Sequence, residues 1–391
     1  MRKFKESNIR ELVFVLTERC NLACIYCYET HKGNNVLSSD CIKEKIVEAM
    51  LKDDGYEILS VVFFGGEPLM EFDTIREVVE WFHEMKWPIP SKKCYFQVST
   101  NGTLLNFNMK HWFSTYRDEI TLSLSMDGTK SAHDRNRSNS YDKVIQHIEF
   151  FRDNWPNQPV KMTVSAESLS ELYDGVVHIH SLGLSVEPDI VFENIWGDYT
   201  TKREAVCEWI NQLDLLVNFY SENPQLRRPR LLKRNLLELF NDDPESYTFC
   251  GAGKHTMTIT ANGNEYPCFR FAPVAVNLPL SDLSALEGVE NALCSTCPFE
   301  HICQSCEGHN YLESGFPFYR TTYHCEFFKI SLLASAKLML FDHPEDLLEA
   351  PEHQSVEQML RRTARLLAIR MVDEFCTPVV DWATKDCDFP Q

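Results

Sequence analysis

Six short apolar, β-branched stretches recur through the first half of the chain, and their spacing is the tightest constraint on what it can fold into. They occupy residues 12–16, 59–64, 95–99, 120–125, 160–165 and 186–192. Segments of helical periodicity lie between them. In 40–51 the residues Ile42, Ile46, Val47 and Met50 share one face, and in 72–85 Ile75, Val78, Val79 and Phe82 do the same. Residues 141–151 and 169–182 follow this pattern, and 107–116 is a shorter version of it. Strands alternating with helices imply right-handed crossovers and a parallel sheet. Six units stop short of eight-fold closure, so the predicted fold is α/β, a partial (β/α)6 TIM-like barrel with an open side.

Parallel strands end on one side, so the segments that follow them share a rim, where α/β folds place their chemistry. After the first strand comes Cys20-x3-Cys24-x2-Cys27. After the second comes Gly65-Gly66-Glu67-Pro68, after the third Thr100-Asn101-Gly102, and after the fourth Met126-Asp127-Gly128. A glycine after a strand is ordinarily a turn residue, but here four polar or glycine-bearing turns coincide in position. The number of thiols is informative. A structural zinc site takes four protein ligands and an ordinary iron–sulfur cluster takes four thiolates. Three leave one metal position open.

The chain has 391 residues, a net charge of −19 and 15 cysteines. Such an acidic balance disfavours non-specific binding to nucleic acid or to an acidic membrane surface. The expectation is of no nucleic-acid partner and no membrane association. No basic segment followed by an apolar core opens the chain, and no apolar run has transmembrane length. An odd cysteine count below the density of a disulfide scaffold fits a reducing cytoplasm with thiols kept as metal ligands. Four regions are expected: the barrel over 1–198, a charge-rich helical connector over 199–245, a cysteine-rich domain over 246–330, and a helical segment over 331–391. The connector holds helical stretches at 202–220 and 231–240, and the C-terminal helices fall at 327–340 and 356–375. Cys250, Cys268, Cys294, Cys297, Cys303, Cys306 and Cys325 crowd the third region. Their C-x2-C pairs also match zinc-knuckle spacing. Cys41, Cys94, Cys207, Cys376 and Cys387 are spare, with free buried cysteine as their default.

The cysteine loop, with Tyr26 just before its last thiol, resembles the signature of the radical S-adenosylmethionine enzymes. Gly65-Gly66-Glu67-Pro68 resembles the second motif of that superfamily. The later cysteines resemble its SPASM extension: Cys250 is followed by Gly263 and Cys268 with the expected spacing, Cys294-x2-Cys297-x5-Cys303 fits, Cys303-x2-Cys306 is one residue short, and Cys325 closes the set. The resemblance implies S-adenosylmethionine and three [4Fe–4S] clusters as cofactors. Cys20, Cys24 and Cys27 would hold the first cluster, with one iron open to the amino and carboxylate groups of S-adenosylmethionine. Cys294, Cys297, Cys303 and Cys325 would hold one auxiliary cluster, and Cys250, Cys268 and Cys306 the other; residues 251–258 offer it no fourth cysteine, so it would keep an open iron or be completed by some other group.

The resemblance also implies the contacts to S-adenosylmethionine. Gly65 and Gly66 would let the backbone approach its methionine portion, and Glu67 would accept from its ammonium group. Ser125 and Asp127 resemble residues near the ribose. Arg137 resembles the arginine that pairs the carboxylate, a task suited to a guanidinium fork, although a surface arginine in a polar loop would read the same way. Tyr26 would face the adenine or pack beside the loop, and Asn101 would touch the cofactor or cap its own turn. Trp196 would approach the adenosine or lie in the core.

Relatives with two auxiliary clusters mostly modify peptides or proteins, so the leading expectation is maturation of a ribosomally made peptide through a thioether or carbon–carbon link. An electron donor such as flavodoxin or ferredoxin is implied. About ten residues precede the first strand, which leaves no room for an N-terminal leader-binding module and implies a separate leader-recognition protein, the connector or the open barrel side. Sulfatase maturation is the rival, but residues 269–276 after Cys268 contain no carboxylate to serve as its base. A non-enzymatic iron–sulfur or zinc scaffold is the alternative from another class.

Overall fold

A computed structural model describes residues 8–52, 54–88, 92–234, 236–237, 250–276, 291–295, 297, 299–342 and 355–375. The strands of the first half are Ile9–Thr17 (β1), Ile58–Gly65 (β2), Lys93–Thr100 (β3), Ile120–Leu124 (β4), Val160–Val164 (β5) and Val186–Ile190 (β6). Each contains or overlaps the apolar run that predicts it. Neighbours from β1 to β4 pair in parallel, as do β5 and β6. The seam between β4 and β5 is thin: one parallel bridge joins Ser125 to Lys161, and Met126 N–H donates to the Lys161 carbonyl at 2.8 Å. From Leu12 to Thr17 every residue of β1 is buried. That is the mark of a parallel strand covered on both faces.

Helices α1 (Ser39–Leu51), α2 (Phe72–Glu84), α3 (Phe107–Thr115), α4 (Lys130–Asn136), α5 (Tyr141–Ile145), α6 (Ile148–Asn154) and α7 (Leu172–Ser181) separate the strands. The buried face of α1 is Ile42, Ile46, Ala49 and Met50, and the Ser38 hydroxyl accepts from Cys41 N–H at its N-terminus. Such a cap supplies one of the four acceptors a helix start lacks. The single helix expected over 141–151 is broken at Gln146–His147 into α5 and α6.

The open side of the predicted barrel is not bare at β1. Strand β7 (Thr256–Ile259) pairs in parallel with β1, and β8 (Glu265–Tyr266) folds back on β7 antiparallel. The sheet order is therefore β4-β3-β2-β1-β7-β8, and the cysteine-rich segment is part of the barrel sheet. Helix α8 (Tyr199–Glu222) follows β6. After α9 (Ala292–Ser295) and α10 (Glu307–Ser314) come α11 (Cys325–Met339) and α12 (Val356–Phe375). Helices α8 and α11 share the main apolar core with the barrel through Trp209, Leu213, Leu216, Phe327 and Ile330. A buried ion pair, Lys202 to Glu326 at 2.9 Å, and a bond from Trp209 Nε1 to the Phe327 carbonyl at 3.0 Å join them. Trp196 belongs to this core, 1% exposed with its ring 4.6 Å from that of Phe327. The connector stretch 231–240 and Cys376 and Cys387 lie wholly or partly outside the described residues.

Candidate active site at the barrel rim

Beyond Thr17 the backbone leaves the sheet, runs through the three thiols and returns at Leu37, whose N–H donates to the Leu16 carbonyl at 2.8 Å. Within the loop Cys27 N–H donates to the Cys24 carbonyl at 3.1 Å and Leu22 N–H to the Cys20 thiol at 3.5 Å. The thiols are half-buried and close enough to act on one another. Burial, with smaller contributions from neighbouring thiols and carboxylates, raises Cys20 and Cys24 above the ordinary thiol range. Two cations oppose this. Arg137 acts on Cys24, while Lys32 acts on Cys20 and hydrogen-bonds Cys27. Burial works against the charge on Lys32, but Cys27, Cys20 and Glu29 outweigh it and hold the amine protonated above its usual range.

Three sets of contacts fix this loop. The first is the glycine motif. Gly66 N–H donates to the Thr17 carbonyl and Glu67 N–H to the Arg19 carbonyl, both at 2.9 Å. A Cβ on Gly66 would lie 2.1 Å from the Arg19 carbonyl oxygen. A Cβ on Gly65, which sits at φ +117, would lie 2.4 Å from the Thr17 carbonyl oxygen. These glycines are thus required by the approach of the cysteine loop's own backbone, whatever else approaches them. The second set runs through Asn101, whose Nδ2 donates to Asn21 Oδ1 at 3.0 Å while its Oδ1 caps the turn at Thr103 N–H, 2.9 Å away. Asn21 in turn donates to the Thr103 hydroxyl at 2.8 Å. In the third, Ala23 N–H donates to Ser138 Oγ at 2.9 Å and Ile25 N–H to the Asn136 carbonyl at 3.1 Å. Ser138 and Asn139 both hold positive φ, 55° and 54°, to make this contact.

Glu67 is 1% exposed, and its carboxylate already accepts from Leu69 N–H at 3.0 Å, the Thr100 hydroxyl at 2.7 Å and Asn101 N–H at 2.8 Å. Burial raises it above the usual carboxylate range despite these donors. It clamps the end of β3 to the loop after β2, with one lone pair of Oε2 left over. Asp127 is likewise at the centre of a network. One oxygen accepts from Tyr26 Oη at 2.6 Å and Asn136 Nδ2 at 3.2 Å and faces Arg137 Nε at 3.0 Å. The other accepts from Thr163 N–H of β5 at 3.0 Å. Arg137 lies over the Tyr26 ring, 5.4 Å from its centroid. Tyr26, Asp127 and Arg137 are therefore brought together, and they bind one another. Ser125 stands at the seam, its N–H donating to the Thr100 carbonyl at 3.0 Å.

Among the seven downstream thiols, Cys268 feels Cys306 and Cys250, whereas Cys294 and Cys303 feel Cys325 and Cys297. Cys268 is pushed up to about 12 by burial, then by Cys306 and Cys250. Cys294 rises to about 11 and Cys303 to about 12 through burial, then Cys325, with Cys297 acting on both. Among the described residues no three or more His, Cys, Asp or Glu side chains converge as ligands of one metal ion. The spare Cys94 lies apart on β3, pushed up by burial alone. Lys32, Asn21, Thr103 and Ser138 escape sequence reasoning because each is an ordinary polar residue in an irregular loop. The same holds for Arg270, two residues after Cys268, whose guanidinium stacks on Tyr28 at 4.5 Å and pairs with Glu193 at 2.6 Å.

A partial parallel barrel with a three-thiol loop on its C-terminal rim, followed by a cysteine-rich segment, defines the class as an α/β protein with its thiols gathered at and beyond the barrel rim. Residues 14–166 match the Radical SAM superfamily model. The chain is 25% identical over 162 residues to the radical SAM cyclopropyl synthase TigE of Paramaledivibacter caminithermalis (strain DSM 15212 / CIP 107654 / DViRD3), covering 37% of this chain and 33% of that protein. It is 24% identical over 322 residues to the antilisterial bacteriocin subtilosin biosynthesis protein AlbA of Bacillus subtilis (strain 168), covering 75% of this chain and 66% of that one. The chain thus spans between a third and two thirds of the length of these relatives. Its fold is shared with native anSMEcpe with bound AdoMet and Cp18Cys peptide, at a TM-score of 0.61 and 17% identity over 86% of this chain and 97% of that one.

Proposed function

We propose that this chain is a peptide- or protein-modifying radical S-adenosylmethionine enzyme. The observation that carries the proposal is the rim loop, where three half-buried thiols are set beside two cations, Lys32 and Arg137. Thiolates of an anionic cluster need such compensation when they leave water. Cys20, Cys24 and Cys27 would hold a [4Fe–4S] cluster with one open iron. When bound together, that cluster and S-adenosylmethionine supply a 5′-deoxyadenosyl radical, and this chemistry belongs to the cofactors.

The chain's own residues bind and orient. The remaining lone pair of Glu67 Oε2 is the acceptor available to an ammonium group, and the Arg137 guanidinium, held through Nε by Asp127, is the cation available to a carboxylate. Asp127 and Ser125 lie at the β4–β5 seam, where a ribose would sit. Tyr26 acts by holding Asp127 and stacking under Arg137. Cys294, Cys297, Cys303 and Cys325 would hold one auxiliary cluster, and Cys250, Cys268 and Cys306 a second. The names of the relatives, a cyclopropyl synthase and a bacteriocin biosynthesis protein, together with the peptide-bound neighbour, support a peptide substrate.

The finer reading is a thioether or carbon–carbon cross-link in a ribosomally made peptide, with a flavodoxin or ferredoxin as donor, a separate leader-recognition protein and a cytoplasmic setting. Among the described residues no helix is long and apolar enough to cross a membrane. The test is anaerobic reconstitution with S-adenosylmethionine and dithionite. 5′-Deoxyadenosine forms with the native chain and is lost in Cys24→Ala, and mass spectrometry of a precursor peptide then shows loss of two hydrogens. Failure to form 5′-deoxyadenosine at full iron content overturns the proposal. Conversion of a sulfatase cysteine peptide to formylglycine would replace the cross-linking reading.

A further inference from the structure

Each downstream thiol group has one arginine fixed against it, and neither arginine is explained by packing alone. Arg270 is held on every side. Its guanidinium pairs with Glu193 at 2.6 Å, lies 4.5 Å from the Tyr28 ring centroid and 5.8 Å from that of Phe192. Its Cβ abuts Gly308, where a methyl group would come within 2.5 Å. Gly308 is in the first turn of α10, two residues after Cys306 at the helix cap, and Cys268 is two residues before Arg270. Arg320 is fixed by the other group. Its Nη1 donates at 2.8 Å to the Glu300 carbonyl, the same oxygen that accepts Cys303 N–H at 3.3 Å. Its own carbonyl accepts from Asn291 Nδ2 at 3.1 Å, and the Asn291 carbonyl accepts Cys294 N–H at 2.9 Å.

We infer that Arg270 and Arg320 each set the reduction potential of the cluster they face, Arg270 that held by Cys250, Cys268 and Cys306, and Arg320 that held by Cys294, Cys297, Cys303 and Cys325. The inference rests on the proposed ligand sets. Its physics is Coulombic. Reduction adds an electron to an anionic group, and a fixed, desolvated cation nearby stabilises the reduced form and raises the potential. Arginine suits the task because it cannot discharge by losing its proton. The electrostatics agree. After the cost of burial, Cys306 is the strongest influence on Arg270, and Arg320 is the cation that opposes the rise of Cys294 and Cys303. Arg270 has a second position as well. Through Tyr28 it abuts the loop carrying Cys27, so it stands between the rim site and the first auxiliary group.

The test is EPR-monitored redox titration of the reconstituted full-length chain, with iron and sulfide content measured on every variant. Arg270→Gln shifts the first auxiliary potential to more negative values and leaves the second in place, and Arg320→Gln does the reverse. Lysine at either position restores most of the shift. Glu193→Gln, which removes the counter-charge of Arg270, moves the first potential in the opposite direction. That variant keeps the inference testable if Arg270→Gln loses iron. Potentials that stay fixed, or that move together in both groups for either substitution, would overturn the inference. A native chain that takes up iron only at Cys20, Cys24 and Cys27 would overturn the ligand sets instead, and the iron content distinguishes the two failures.

Discussion

Cys20, Cys24 and Cys27 sit on one loop between β1 and α1, whereas the seven downstream thiols are gathered from positions spread between 250 and 325. The rim loop is held by backbone: carbonyls of Thr17 and Arg19 are met by N–H groups of Gly66 and Glu67, with no space for a side chain between them. Among the described residues, the downstream thiols other than Cys325, which opens α11, have little regular structure behind them. Their helices α9 and α10 are short, and fixed side chains such as Arg270, Arg320 and Asn310 provide the bracing. Asn310, 2% exposed, donates to the Ser305 hydroxyl at 2.8 Å and to the Pro317 carbonyl at 3.0 Å. A site built on strand ends tolerates no added volume, whereas a site built on loops depends on particular polar atoms.

The sharpest way to break this comparison is to empty one region and watch the other. Cys24→Ala abolishes 5′-deoxyadenosine formation while the iron and Mössbauer signal of the downstream groups persist. Their joint loss would mean that the regions are not independent. A smaller effect separates the two kinds of bracing. Gly66→Ala places a methyl against a carbonyl and costs about 3 kcal/mol in urea unfolding. Gly315→Ala, at the left-handed end of α10 with nothing within 4 Å, costs about 1 kcal/mol. Equal costs would show that the rim loop yields as easily as the downstream segment.

The smallest effect at neutral pH lies away from both regions. Burial, with help from the Lys110 charge, lowers His147 between α5 and α6 to about 4. The folded form keeps the ring neutral while the unfolded chain protonates it below its ordinary value. The stability it contributes is therefore present above pH 6.5 and lost as the pH falls towards 4. His147→Gln should flatten the acid limb of a stability–pH profile in that window and change little at pH 7. An unchanged slope would remove His147 from the account.

All six barrel strands were legible because each carries a short run rich in apolar, β-branched or aromatic residues; in β2 these are Leu59, Val61, Val62 and Phe63, all buried. Helix α4 was not. Its sequence, Lys130 to Asn136, has no apolar stripe, and apart from Ala132 what it buries is polar. His133 is 0% exposed, taking Asp127 N–H at Nδ1 (3.2 Å) and pairing with Ser140 Oγ at Nε2 (2.9 Å). The place of the three-thiol loop, directly after the first strand, was legible from the apolar run that precedes it. The occupations of Glu67, Asp127 and Tyr26 were not, because which partner a buried polar atom takes is decided across the fold and leaves no local trace. Strand β7 escaped for the same reason: four residues carry no period, and their partner is far away in sequence.

Glu11 and Thr256, neighbours across the β1–β7 pair, are 245 positions apart. On the ribosome, the outer edge of β1 therefore waits for β7 after β2 has been made, for roughly 10–40 s at ordinary rates of synthesis. An unpaired strand edge exposed that long is a template for association with other chains. Truncations ending before residue 256 leave that edge permanently bare, so they are expected to aggregate rather than yield a smaller working barrel.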